Sequence, residues 1–272
     1  MSASAVVAPN DPPVLRRDEG AVALLTLNRP ASRNALSRTM LAALRAELDA
    51  IAAEEGIRCV VLAGEGPAFS GGHDLREMNG HRGDADGGEA FFAETFAECA
   101  GLMQAVVNLP QPVIAAVDGI ATAAGCQLAA SCDLVVAGEG AKFGTSGINA
   151  GLFCTTPGVA VVRAMGRKPA MELLLTGDMV PAAEAQRMGL VNRVVPAGTA
   201  VAAALALAAR IARHSGAALR LGKRGVNAQI GQPLDRAYEV ASRIMVENLM
   251  TADAAEGMDA FLAKRPPVWT HR

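Results

Sequence analysis

Five short apolar runs constrain this chain most: Val22–Leu27, Cys59–Ala63, Val113–Val117, Leu134–Ala137 and Leu190–Val195. Each is rich in Val, Ile or Leu and bounded by Gly, Pro, Asn or Asp, the pattern of short strands. Helical patterns lie between them. Ser37 is an N-cap candidate before Arg38–Glu55, where Met40, Leu41, Leu44, Leu48 and Ile51 share one face. Glu89–Asn108 reads as a second helix, stopped by Leu109-Pro110. Strands alternating with helices predict an α/β chain with short parallel strands. After Pro196 the strand signals cease, and the rest reads as helical up to Lys264-Arg265-Pro266-Pro267. The organisation expected is a mobile tail over residues 1–13, an α/β core over 14–195 and a helical region over 196–272. The Gly- and Asp-rich stretch His81–Gly88 predicts a flexible surface loop. Ala197–Ala212 is too short to cross a bilayer and reads as a buried helix.

With 51% apolar residues in a 272-residue chain, a large core forms without disulfides. A net charge of −2 disfavours a nucleic-acid partner, and 3% aromatic residues leave little for base stacking. Cys59, Cys99, Cys126, Cys132 and Cys154 are odd in number and set in apolar surroundings. They read as reduced core residues of a cytoplasmic protein. No Cys/His group has metal-ligand spacing, so no metal is expected. No basic-then-apolar leader is visible at the N-terminus, and no membrane span is expected.

Two further segments carry chemistry: Ala68-Phe69-Ser70-Gly71-Gly72-His73-Asp74-Leu75 and Ala121-Thr122-Ala123-Ala124-Gly125-Cys126-Gln127-Leu128. Each follows a strand-like run and packs small residues where a helix begins. Such turns bring backbone N–H groups to a surface that a ligand approaches closely. Two of them facing each other would hold one anionic oxygen, the essence of an oxyanion hole. Gly64-Glu65-Gly66 and Gly71-Gly72 lack the Lys-Ser/Thr ending and the spacing of nucleotide-binding loops, and read as turns.

Leu27-Asn28-Arg29-Pro30 followed by Asn34-Ala35-Leu36 resembles the opening of the crotonase superfamily, the enoyl-CoA hydratase/isomerase fold. Ala68–Met78, Asp118–Ala137 and Leu175-Thr176-Gly177-Asp178 through Gly189-Leu190-Val191 match in order, and the likeness runs from Val14 to the C-terminus. Ser70–Leu75, Ala124–Asp133, Gly151–Val159 and the ending Phe261–Arg265 with Pro267-Val268-Trp269 place the likeness in one branch of the family. The resemblance implies a spiral of ββα repeats with a helical C-terminal region that drives trimerisation, and in many members hexamers. It implies an acyl-CoA thioester as partner, no cofactor beyond the coenzyme A of the substrate, and stabilisation of a thioester enolate. By position, the N–H of His73 and of Ala124 are the two oxyanion donors. His73, Asp74, Leu75 and Arg76 match the substrate-binding segment.

The resemblance also locates an absence. The family's two hydratase glutamates fall on Gln127 and Gly147, and an isomerase acid/base position falls on Asn149. Gln127 can orient a water but cannot take its proton. Gly147 has no side chain, so a void is expected there. A Gln127→Glu/Gly147→Glu double variant is then expected to gain hydration. Alternatives stand beside this reading. The His73 imidazole could act as acid or base, bind coenzyme A, or complete a turn. Asp74 reads as a helix cap, Asp133 as a turn residue, and Cys126 and Cys154 as packing rather than nucleophiles. Arg76 suits a phosphate or open solvent equally. Two functions follow: an enoyl-CoA hydratase/isomerase-like enzyme whose ordinary hydration is poor, or a non-catalytic acyl-CoA-binding or assembly protein.

Overall fold

The computed structural model describes residues 11–272. Its strands are β1 (Val14–Glu19), β2 (Val22–Leu27), β3 (Cys59–Gly64), β4 (Ala68–Ser70), β5 (Val113–Val117), β6 (Ile120–Thr122), β7 (Leu134–Gly138), β8 (Lys142–Gly144), β9 (Met179–Pro181) and β10 (Arg193–Val195). Its helices are α1 (Arg38–Ala52), α2 (Leu75–Gly80), α3 (Glu89–Asn108), α4 (Ala124–Ser131), α5 (Thr155–Met165), α6 (Arg167–Thr176), α7 (Ala182–Arg187), α8 (Ala200–Ile211), α9 (Gly216–Gln229), α10 (Leu234–Leu249) and α11 (Ala252–Leu262).

The strands form two sheets, ordered β1-β2-β3-β5-β7-β10 and β4-β6-β8-β9. The orders interlock. A strand of the first sheet is followed by a short strand of the second and then by a helix: β3-β4-α2, β5-β6-α4, β7-β8-α5. Each repeat lays its strands beside those of the one before, all parallel. The chain therefore advances as a spiral of ββα units. Central strands are apolar on every residue because both faces are covered. In β3, Val60 and Leu62 face the core under α1 and α3, whereas Cys59, Val61 and Ala63 face α8.

The strands of the second sheet, β4, β6, β8 and β9, have three residues each and are too short for periodicity to reveal. The polar edge strand β1 also departs from the apolar pattern. Leu190 and Val191, expected as strand from their composition, are not strand. Their N–H groups both donate to Ala185 O, so only Arg193–Val195 pairs with β7. Most of the mobile-tail segment lies outside the described residues, but Asp11–Pro13 do not. The Asn28 N–H donates to Pro13 O at 2.8 Å, and Arg29 Nη2 donates to Asp11 O at 2.7 Å. His81–Gly88 is built rather than loose. His81 stacks on Phe91 with ring centroids 3.6 Å apart and pairs with Asp84, and Asp86 accepts the Gly88 and Ala90 N–H groups to start α3.

Among the described residues α3 is the one helix long and apolar enough to cross a bilayer. Here its Cys99, Leu102, Met103 and Val106 lie in the core shared with α1. The helix from the Ala-rich stretch, α8, covers the other face of the first sheet. Its first N–H groups are capped from afar: Asp118 Oδ1 accepts from Gly198 at 2.8 Å and Oδ2 from Ala200 at 3.1 Å. Gly138 makes room for that carboxylate, since a Cβ there would lie 2.3 Å from Asp118 Oδ1.

One buried lysine fastens the helical region to the core. Lys223 of α9 is 7% exposed and donates to Asp133 Oδ2 at 2.7 Å, and to Val106 O and Gln111 O, each at 3.1 Å. Asp133 also accepts the Val113 N–H, which gives the turn role expected of it a physical form. Lys223→Met would leave two carbonyls unpaired and take from the Asp133 carboxylate its cation. It is expected to cost about 2–3 kcal/mol, discounted from the fully buried case because Asp133 is partly exposed, and chemical denaturation would measure this.

Candidate active site

The first small-residue turn is fixed by Asn34. This buried residue sits at φ +50° and uses its whole side chain: Oδ1 accepts from Arg29 N, and Nδ2 donates to Glu65 O and Ala68 O. Its carbonyl accepts Ser70 Oγ at 2.9 Å, and Ser70 Oγ accepts the Gly72 N–H at 3.3 Å. Gly72, at φ +90°, turns the chain, and its carbonyl accepts the Leu36 N–H at 2.7 Å. In the sequence Asn34 stands out only as part of a motif. Its signal was an Asn where a left-handed conformation is needed.

The second turn is strained. Ala123 holds φ +50°, ψ −121°, a region rarely occupied by a residue with a Cβ. It is held there by its N–H on Gly144 O and its carbonyl under the Gln127 N–H, both at 3.0 Å. α4 then starts at Ala124. Gly125 is required, because a Cβ there would lie 2.2 Å from Ser70 O.

The two turns face each other closely. A Cβ built on Gly72 would lie 2.9 Å from the Ala123 Cβ and 3.3 Å from the Ala124 nitrogen. Among the described residues, neither the His73 nor the Ala124 N–H donates to another protein group. Free N–H groups are normal at a helix start and are what an anionic oxygen needs.

The His73 ring is oriented as well. Nδ1 lies 3.2 Å from Leu36 O, and a carbonyl only accepts, so Nδ1 carries the proton. Nε2 is then a lone-pair acceptor, buried without a partner, with the ring edge-on to Phe96 at 5.3 Å. Burial holds the imidazole below the ordinary histidine value of 6.5. The unfolded chain therefore takes up this proton first as pH falls. The stability this group contributes is whole above pH 6.5 and is lost progressively below it. His73→Asn is expected to flatten the acid limb of a melting-temperature profile between about pH 7 and about pH 5.

Asp74 caps α2, accepting the Arg76 and Glu77 N–H groups at 2.9 and 3.2 Å. Leu75 and Arg76 are exposed. Gln127 is buried with Oε1 unpaired, and Thr145 Oγ1 is buried and unpaired nearby in sequence to β8. Thr122 Oγ1 and Ser146 Oγ lie 2.8 Å apart, a hydroxyl pair that the sequence did not single out. Asn149 is turned to the Gly177 loop, its Nδ2 3.4 Å from Gly177 O.

The void expected at Gly147 is not there. A Cβ on Gly147 would lie 2.6 Å from Cys154 Sγ and 2.6 Å from Leu152 O. Leu152 is held in place by its N–H on Gly147 O at 2.9 Å. The loop after the Ser146–Ala150 turn has closed over the position. Cys154 is buried, and burial raises its thiol above the ordinary value. Burial pushes the Cys126 thiol up to about 12. All five cysteines are free and none presents a thiolate at neutral pH.

The sequence pattern of enoyl-CoA hydratase/isomerase matches residues 17–272. The chain belongs to the enoyl-CoA hydratase/isomerase family. A crystal structure of an enoyl-CoA hydratase from Mycobacterium smegmatis superposes with a TM-score of 0.90 at 48% identity, covering 95% of this chain and 99% of the other. The rat mitochondrial enoyl-CoA hydratase domain-containing protein 3 is 43% identical over 255 residues, covering 94% of this chain and 83% of its own. The human protein of that name has a crystal structure that superposes at a TM-score of 0.89, with 42% identity and cover of 94% and 100%. The ββα spiral is thus the crotonase fold, and the branch indicated by Ser70–Leu75 and Ala124–Asp133 is that of these relatives. They also correct one expectation. Reduced cysteines suggest a cytoplasmic location, but the rat, mouse, frog and human relatives are named mitochondrial. Buried thiols report a reducing compartment and do not distinguish one such compartment from another.

Proposed function

We propose that this chain binds an acyl-CoA thioester with the thioester oxygen between the His73 and Ala124 N–H groups, and stabilises the enolate formed when charge moves onto that oxygen. The observation that carries this is the close approach of two rigid turns, 3.3 Å from the Gly72 Cβ position to the Ala124 nitrogen, with both N–H groups unused. Each donor of this kind contributes about 10²–10³ in rate. The acid/base side is neutral: Gln127, the Thr122–Ser146 hydroxyls and no side chain at Gly147. Isomerisation, decarboxylation or hydrolysis proceeding through the enolate fits this wall better than two-carboxylate hydration. The same wall favours a second reading, a crotonase-fold protein that binds acyl-CoA without turning it over.

The test is a panel of acyl- and enoyl-CoA thioesters, followed by calorimetry for binding and by mass spectrometry for change. Binding that Gly72→Val weakens at least about tenfold supports the site, since that side chain would intrude between the turns. A mass change selects the enzyme, and binding alone selects the second reading. A thioester bound with undiminished affinity by Gly72→Val would refute the site.

The α10–α11 region suits a homotrimer or a pair of trimers. None of the 16 residues of α10 is buried, and Leu234, Tyr238, Met250 and Phe261 are 75%, 67%, 81% and 82% exposed. Apolar surface on this scale marks an association face. Light scattering at micromolar concentration is expected to give three or six times the 27.9 kDa chain mass, and a monodisperse monomer would count against it.

A further inference from the structure

A cavity lies at the other end of the first sheet from the facing turns. His73 and Ala124 follow the carboxyl ends of the strands, whereas this groove opens beyond the amino ends of β2 and β3. Its volume is about 520 Å³, and Ala21, Val22, Arg58, Arg213, Trp269 and His271 contribute to its lining. That volume suits a small organic ligand.

The wall made by the C-terminal segment is built, not draped. Asp253 is 2% exposed and accepts the Thr270 N–H at 2.7 Å, the Thr270 hydroxyl at 2.9 Å and the His271 N–H at 3.0 Å. Arg220 Nη2 donates to His271 O, and the Gly216 N–H donates to His271 Nδ1. The indole is fixed between them. Trp269 Nε1 donates to Arg213 O at 3.0 Å, and its ring sits against Gly257, where a Cβ would lie 3.2 Å from it.

The charge of the groove is one-sided. Arg58 donates Nε to Ala212 O at 2.8 Å, which leaves its two terminal amino groups without a partner among the described residues. Arg213 is exposed and meets no carboxylate among them. The one acid in the lining, Glu19, is occupied by Arg17 at 2.6 Å. Burial and the Arg58 and Arg220 charges keep His271 below the ordinary histidine range, so it is a neutral hydrogen-bonding group. Two guanidinium groups with unpartnered terminal amino groups, beside an immobilised indole, match one kind of ligand. The guanidinium forks suit phosphate oxygens, and the indole suits a flat ring.

We propose that this groove binds a nucleoside phosphate, with the base against Trp269 and the phosphates on Arg58 and Arg213. The proposal is independent of the thioester site. The nucleotide comes either from solution or from the nucleotide half of a coenzyme A, and the two are separable.

Trp269 is the single tryptophan of the chain, so its fluorescence reports on this groove alone. The full chain is titrated in parallel with ADP, with coenzyme A and with inorganic pyrophosphate. Saturable quenching by ADP below about 1 mM is expected, at least about tenfold tighter than any response to pyrophosphate. Arg213→Glu, at an exposed position, is expected to weaken ADP binding about tenfold or more while leaving the melting temperature unchanged. Coenzyme A acting as strongly as ADP makes the nucleotide half of coenzyme A a source, and quenching by ADP alone makes it a free nucleotide. No saturable quenching, equal binding of pyrophosphate, or ADP binding untouched by Arg213→Glu would each overturn the proposal.

Discussion

Gly147→Glu is expected to break the pocket loop rather than supply a missing acid. The carboxylate would have to start from a Cβ lying 2.6 Å from a backbone oxygen, Leu152 O, and equally close to Cys154 Sγ. A thiol can rotate away, but a carbonyl held through the Leu152–Gly147 hydrogen bond moves only with its loop. That loop leads directly into α5, which packs on α4, so displacement would spread to the helix that presents the Ala124 N–H. A loss of about 3 kcal/mol in stability is expected, at the upper end for an overpacked site, together with a fall of at least about tenfold in acyl-CoA affinity. The Gln127→Glu/Gly147→Glu double variant should then show no gain in hydration. Hydration gained by a double variant that melts like the parent protein would show that the loop yields freely and that the position is usable after all.

The unmodified protein should hydrate crotonyl-CoA about 10³–10⁶ times more slowly than a family member carrying both carboxylates, because two coupled acid/base groups are absent. Gln127→Glu alone should recover little. Its carbonyl oxygen already lacks a partner in a site where the residue is only 4% exposed. A lone carboxylate there has no cation to hold it ionised, and burial would favour its protonated form. The comparison needs only initial rates on matched enzyme and substrate concentrations. A rate within about tenfold of the two-carboxylate relative would mean that another group, with the His73 Nε2 lone pair first in line, moves the proton.

The central strands and α1, α3 and α8 were legible because their side chains report their environment. β3 and β5 are apolar at every residue because both faces are covered, and α1 shows its buried stripe. The second sheet was not, because three residues carry no period and its strands are defined by what they lie beside. The same limit applies in the site. The turns at Gly72 and Ala124 could be located from small residues after strands. Their mutual approach depends on Asn34 and Gly125, whose roles are set by partners far along the chain, Ala68 and Ser70. Gly147 is the clearest case. A glycine reads as an absence of side chain, but here it records the presence of Leu152 O and Cys154 in its place.

The Asp118 cap on α8 has a consequence for how the molecule comes apart. Residues 80 and 82 positions apart in the chain share those two hydrogen bonds, and α8 has no side-chain cap of its own. The helix start is therefore completed only when the β5–β6 connection is already in place, and that connection loses its covered face when α8 departs. Neither can open alone at low cost. The amide protons of α8 and of the middle strands should therefore exchange with solvent as one block, with a common protection factor.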